Sequence, residues 1–330
     1  MLANLFELPF DFVLKLRQMR LRHQRATFWR FVANEFSRKR GIADPQQVEI
    51  DIVDKERARL GIREADFTAV KGALARGDIA DAKKLATHVN LDNNMNVLSQ
   101  RFHDFTPDER VVLAEGGQVS LSTPQAVVSL ARAVRYVVEN NIPGAFAECG
   151  VYAGGSIMVM IRTLMLCGRT DREIYLYDTF EGMPPPDERD VFYTGVSAQK
   201  PWASQKRGDE GHSNWVYAPL EDVKKRVAAL GYPTERIHFI KGLVEDTLPR
   251  HAPENLALLR LDTDFYSSTK HEFVHLYPRL SNGGILVIDD YGAFRGVQLA
   301  TDEYIAENKL SIFLHRADEH VRFAVKPGAL

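Results

Sequence analysis

From Pro124 onward the chain alternates apolar runs with amphipathic ones in a regular order, and this alternation restricts the fold more than any other feature. A helical stretch, PQAVVSLARAVRYVVENN, leads into the short apolar run GAFAEC, then a glycine-bearing turn, GVYAGG, and a second helical stretch, SIMVMIRTLML. The runs EIYLYD, RIHFIKG, LALLRLD and GGILVIDD follow, with LEDVKKRVAALG and STKHEFVHLYPRL between them as helices. Strands this uniformly apolar are buried on both faces, as in a mainly parallel, doubly wound α/β sheet with helices on either side. LSIFLHR and HVRFAVK, linked by residues 317–319, read as a closing hairpin that adds an antiparallel strand to the sheet. The Pro- and Gly-bearing segment from Thr179 to about Tyr217 reads as a long irregular insertion.

The pattern is confined to the C-terminal part, and a chain of 330 residues exceeds the usual size of one compact domain. Residues 1–118 are therefore expected to form a helical N-terminal extension, and 119–330 the α/β domain. Apolar residues make up 45% of the chain and charged residues 26%, enough for a sizeable core and unlike a disordered composition. The net charge of -2 offers no global attraction to nucleic acid. Residues 1 to about 40 are locally basic, and read as an exposed helical face or a packing arm between subunits, with a membrane surface or an acidic partner as the alternative. Glu7 and Asp11 interrupt the apolar N-terminus before a signal sequence or a transmembrane segment completes itself. Cys149 and Cys167 have the spacing of neither a disulfide framework nor a zinc site. A soluble, cytoplasmic protein is expected.

The first strand-to-helix turn runs Glu148-Cys149-Gly150-Val151-Tyr152-Ala153-Gly154-Gly155-Ser156. Its glycines let the backbone turn tightly and let a ligand approach the main chain. Alone it is a weak signal. The next strand ends in Asp178, where a carboxylate can accept hydrogen bonds from both hydroxyls of a ribose, and the pair points to a nucleoside site. A dinucleotide would need a GxGxxG pyrophosphate cradle, whereas Tyr152 stands where the second glycine belongs and Glu148 adds negative charge. These residues suit a ligand without phosphate and with a cationic amino-acid end, namely S-adenosylmethionine. Lys241-Gly242 falls at the same edge, where the adenine is expected, and Asp246 beyond it reads as a ligand or a helix cap.

Two further strand ends carry Asp262-Thr263-Asp264 and Asp289-Asp290-Tyr291. Four carboxylates at one sheet edge repel one another unless a cation compensates, and oxygen-only ligation points to Mg²⁺, Mn²⁺ or Ca²⁺. The alternative is that Asp262 and Asp289 are helix caps or hydrated loop residues.

The runs FAECGVYAGGS, YDTFEGMPPP, HFIKGLVEDTLP, LRLDTDFYSST and YPRLSNGGILVIDDYG resemble the macrocin/mycinamicin O-methyltransferase family of sugar-modifying enzymes, over about residues 120–310. The resemblance implies a Rossmann-like class I methyltransferase sheet. It also implies Mg²⁺ ligation by Asp262, Asp289 and Asp290, a general base at Asp264, and cofactor contacts from Glu148, Gly150, Ser156 and Asp178. His212, in the long insertion, is a candidate to orient or deprotonate the acceptor, or is simply a solvated loop residue. Trp202, Trp215 and Tyr217 could stack on the acceptor or hold the insertion closed.

The expected partner is a small hydroxylated molecule, a sugar in the first instance, with no nucleic acid and with homo-oligomeric assembly. The competing readings are a phenol or catechol O-methyltransferase with the same machinery, and a non-catalytic cofactor-binding regulatory protein. A dehydrogenase is disfavoured by the missing GxGxxG.

Overall fold

The computed structural model describes residues 104–117, 119–207 and 211–328. The chain divides into two compact units, Met1–Asp104 and Phe105–Leu330, and the second is described below. The basic arm and the expected helices up to residue 103 lie outside the described residues. The second unit opens with helix α1 (Pro107–Glu115), which buries Val112 and Leu113 against the helices that follow. Its start is set locally. The Thr106 hydroxyl accepts the Glu109 amide at 3.3 Å, the Glu109 carboxylate accepts the Thr106 amide at 2.8 Å, and Pro107 occupies the first turn.

Helix α2 (Pro124–Glu139) is capped by the Thr123 hydroxyl, which accepts the Ala126 amide at 3.2 Å. Its apolar stripe of Val127, Leu130, Val134 and Val137 is buried, as helical spacing requires. Then follow β1 (Ala145–Cys149), α3 (Gly155–Leu166) and β2 (Ile174–Asp178). The long insertion contains α4 (Gln199–Ser204) and a separate ribbon of β3 (Lys206–Arg207) and β4 (His212–Ser213). The alternation resumes with α5 (Leu220–Ala228), β5 (Ile237–Lys241), the single turn α6 (Val244–Thr247), β6 (Leu256–Leu261), α7 (Tyr266–Leu276) and β7 (Leu280–Ile288). Pro278 cannot extend α7, which stops at Leu276 and passes into a 3-10 turn. Helix α8 (Arg295–Glu307) and the strands β8 (His315–Arg316) and β9 (Arg322–Val325) complete the unit.

The main sheet has the order β5-β2-β1-β6-β7-β9-β8. The pairs among β5, β2, β1, β6 and β7 are parallel, and β9 runs antiparallel to both β7 and β8. The expected closing hairpin is present, but its first strand is short: of the run LSIFLHR only His315–Arg316 pairs, and Phe313 is 80% exposed. Such a short edge strand presents little unpaired backbone to another chain. The order reverses between β1 and β6, so a crevice opens outside their carboxyl ends. Among the described residues no helix is long and apolar enough to cross a membrane.

Every residue of β1 and β6 is buried, so the two strands that position the crevice are also the centre of the core. Phe146, fully buried on β1, carries the Arg172 guanidinium 5.3 Å from its ring centroid. Phe146→Ala is expected to cost about 3–5 kcal/mol in denaturant unfolding, the usual range for emptying an aromatic core position. Val274→Ala, at an exposed position on α7, should stay within about 0.5 kcal/mol of the parent.

Candidate functional site

The turn after β1 is built around a close approach of two chain segments. Gly150 has φ +82°, and a Cβ on it would stand 1.9 Å from the carbonyl oxygen of Asp262. Only glycine fits, because the Asp262 amide donates to the Cys149 carbonyl at 2.9 Å and draws the two strand ends together. Tyr152 follows at φ +49°, and Gly154 at φ +85° opens α3 without a side-chain cap. The first amides of α3 thus have no side-chain acceptor at the cap, and Ser156 is buried in the first turn; uncapped amides of this kind suit an anionic group.

Asp178 ends β2, as expected, but its carboxylate is largely engaged by the protein itself. Oδ2 accepts the amides of Val151 at 2.7 Å and Tyr152 at 3.0 Å, and Oδ1 accepts the Phe180 amide at 2.6 Å. It braces the glycine turn, and Oδ1, whose second contact is only a long one of 3.5 Å from the Thr179 hydroxyl, is the oxygen with capacity for a ribose hydroxyl. Gly242 donates its amide to the Asp178 carbonyl at 3.0 Å, which places the end of β5 beside the turn. At this edge Lys241 also pairs with Glu181 at 2.6 Å, a carboxylate that the sequence reading passed over.

Glu148, on β1, is buried, and its environment is set by Arg260 on β6. Arg260 is 4% exposed. Its Nη1 donates to Glu148 Oε1 at 2.5 Å and also to Asp262 Oδ2, while its Nη2 donates to Asp289 Oδ2 and, at 3.4 Å, to the Ser122 hydroxyl. Burial pushes the Glu148 carboxyl up to about 7, against the downward pull of Arg260. Glu148 Oε2 is buried with no hydrogen-bond partner, an acceptor that fits the cationic end of an amino acid.

The acidic residues do not converge as one group of four. Ligand oxygens of Asp262, Asp264 and Asp290 lie within 4.8 Å of one another. Asp289 is committed elsewhere, with Oδ2 on Arg260 and Oδ1 accepting the Asp290 amide at 3.0 Å. Asp264 and Asp290 both adopt the left-handed region, at φ +66° and +56°, and their side chains turn toward each other across the strand ends. Burial and the neighbouring Asp290 hold the Asp264 carboxyl well above the usual carboxylate range. Burial also raises Asp290, but the neighbouring His320 and Asp264 side chains outweigh it and leave that carboxyl below its ordinary value. Three close carboxylates, with oxygen donors only, fit a hard divalent cation.

The insertion is rooted behind these loops. Phe192 and Trp215 from the insertion pack with Phe265, which follows Asp264, and with Phe294, at centroid distances from 4.3 to 6.4 Å. Trp202 is buried and donates to the Met183 carbonyl at 3.0 Å. Both tryptophans thus hold the insertion in place. His212 lies in β4, beside the buried Ser213, and its side chain falls outside the described residues.

Besides Glu181, three functional-site residues escaped the sequence reading. Arg260 had a visible signal: a charge inside the otherwise apolar run LALLRL must find buried partners. Glu272 carried a similar one on α7; it is fully buried, and its Oε1 accepts the Thr263 hydroxyl at 2.8 Å, steadying the loop between Asp262 and Asp264. His320 had none, since it reaches Asp290 (Nδ1–Oδ1 3.9 Å) only through the hairpin's return to the sheet.

The profile of the macrocin-O-methyltransferases (TylF) matches residues 80–325. An 8-demethyl-8-(2,3-dimethoxy-alpha-L-rhamnosyl)-tetracenomycin-C 4'-O-methyltransferase from Streptomyces olivaceus is 35% identical over 158 residues, 48% of this chain and 57% of that protein. Mycinamicin III 3''-O-methyltransferase from Micromonospora griseorubida is 30% identical over 49% of this chain and 61% of its own length. The chain thus spans less than two thirds of these relatives. The solved structure of the O-methyltransferase NovP superimposes with a TM-score of 0.55 at 25% identity, covering 73% of this chain and 99% of NovP. The sheet is therefore the class I methyltransferase sheet anticipated from the sequence, and with the profile match extending over most of its length the chain belongs to the macrocin-O-methyltransferase (TylF) family.

Proposed function

We propose that this protein transfers a methyl group from S-adenosylmethionine to a hydroxyl of a sugar or glycosylated natural product, assisted by Mg²⁺ or a similar hard cation. The observation that carries the reading is the abutment of the glycine turn and the acidic loop at Gly150 and Asp262, since a cofactor held at the first would lie beside a cation held at the second. The rhamnosyl-tetracenomycin and mycinamicin enzymes named above support a glycosylated acceptor.

When bound, the cofactor supplies an electrophilic methyl on a sulfonium sulfur, and the cation lowers the pKa of a hydroxyl beside it. Glu148 Oε2 would receive the cofactor's ammonium, the first turn of α3 with Ser156 its carboxylate, and Asp178 Oδ1 a ribose hydroxyl. Tyr152 and Gly242 would border the nucleoside. Asp262 and Asp290 would hold the cation, with Asp289 fixed behind them by Arg260. Asp264, whose carboxylate lies in the same group, would take the acceptor's proton as the oxygen–carbon bond forms. The bonding pair of the broken sulfur–carbon bond stays on sulfur. The residues' main contribution is alignment of oxygen, carbon and sulfur.

Incubation with labelled S-adenosylmethionine, Mg²⁺ and a panel of glycosylated and phenolic acceptors tests the reading. Transfer to glycosides is expected, and exclusive transfer to catechols would replace it. Asp264→Asn should lower the rate roughly 10²- to 10⁴-fold while cation binding survives in calorimetry, whereas Asp290→Asn should lose both. Undiminished turnover after exhaustive chelation would exclude cation assistance.

Glu148 gives a second prediction. The folded state raises this pKa from 4.5 to about 7, so the neutral carboxyl contributes stability at low pH that fades as pH rises through about 7. Only the ionised form pairs with an ammonium, so cofactor affinity should increase between about pH 6 and 8. In Glu148→Gln the affinity should be weaker and flat over that range; an unchanged pH profile would remove Glu148 from the cofactor site.

A further inference from the structure

One guanidinium joins both halves of the crevice, and the proposed chemistry does not use it. Arg260 Nη1 is shared between Glu148 at the cofactor turn and Asp262 at the cation site, while Nη2 holds Asp289. A planar fork with donors on two nitrogens can meet three carboxylates at once, which the compact ammonium of a lysine cannot do in the same geometry. The contacts also select which oxygens remain. With Oε1 fixed by Arg260, Glu148 is left with the buried, unpartnered Oε2. With its Oδ2 on Arg260, Asp262 is directed into the group it forms with Asp264 and Asp290.

We propose that Arg260 is a positioning residue that couples the cofactor pocket to the cation site, so that filling one raises the affinity of the other. The inference rests on the assignment of Glu148 to the cofactor and Asp262 to the cation made above. In the unliganded protein a single positive charge is divided among three carboxylates, and Nη1 serves two of them. A divalent cation on Asp262 draws off that carboxylate's charge. Nη1 then bonds to Glu148 alone, which fixes the direction of Oε2 before the ammonium arrives. An ammonium on Oε2 has the reciprocal effect, since linkage between two bound ligands is symmetric. Arg260 touches neither ligand and acts only through the carboxylates it holds.

The test is titration calorimetry of S-adenosylhomocysteine into the full-length protein with and without saturating Mg²⁺. The wild type should bind about 5-fold or more tightly with Mg²⁺, within the usual span of coupling between sites. R260K keeps the buried positive charge but loses the fork, and should retain cooperative thermal unfolding while the Mg²⁺ effect falls to about 2-fold or less. R260M, which leaves the buried Glu148 and the half-buried Asp262 and Asp289 uncompensated, should lose the effect and melt earlier. A wild-type affinity indifferent to Mg²⁺, or an R260K protein with the full Mg²⁺ effect, would overturn the coupling role while leaving the methyltransferase reading in place. Failure of the wild type to bind S-adenosylhomocysteine under either condition would overturn both.

Discussion

The crevice depends on an unusual charge arrangement: a cation on the central strand β6 surrounded by carboxylates from three different strand ends. Without Arg260 the buried Glu148 and the half-buried Asp262 and Asp289 would stand together at a high cost, because the desolvation of each adds to their mutual repulsion. The surroundings are built to tolerate this charge. Strands β1 and β6 lie at the middle of the sheet with every residue buried, so the guanidinium and Glu148 are held by rigid backbone, while Asp262 and Asp289 follow directly on the ends of β6 and β7. The Ser122 hydroxyl adds a neutral acceptor from the segment just before α2.

Around this core the loops are shaped by steric and conformational constraint. Gly150 leaves no space for a side chain beside the Asp262 carbonyl, and Asp264 and Asp290 occupy backbone conformations that non-glycine residues adopt only when the surroundings hold them. Those surroundings are identifiable. Phe265 and Phe294, adjoining the two acidic loops, are packed into one aromatic cluster with Phe192 and Trp215 of the insertion. Asp190, buried in the insertion, accepts the Tyr266 amide at 2.8 Å at the start of α7. The insertion is thus part of the support that keeps the carboxylates converged.

Asp178 shows how one residue can answer two demands. Burial raises its pKa, and the backbone amides of Phe180, Tyr152 and Val151 counter that rise. A carboxylate fixed in this way presents its remaining acceptor capacity in a constant direction, which a free side chain on a loop would not. Removing it would loosen the glycine turn as well as any ligand contact, so the effect of its loss on binding and on the fold cannot be separated by a single truncation.

Alternation of apolar and amphipathic runs was enough to define the sheet, its parallel centre and its antiparallel closure, because burial on both faces leaves a strand no other composition. Glycine, tyrosine and acidic residues at the strand ends were enough to indicate where ligands belong, because topology brings the carboxyl ends of neighbouring parallel strands to one edge. What sequence could not supply was the pairing of charges across that edge. Whether Asp289 joins Asp262 and Asp290 or turns to Arg260 depends on side-chain directions settled only when β1, β6 and β7 are in register. The reach of His320 to Asp290 depends on the hairpin folding back onto β7, and the packing of α1 on Val112 and Leu113 finding cover. Local sequence carries the periodicity that makes strands and helices; contacts between residues far apart in the chain carry the electrostatics, and only the assembled sheet brings those residues within reach.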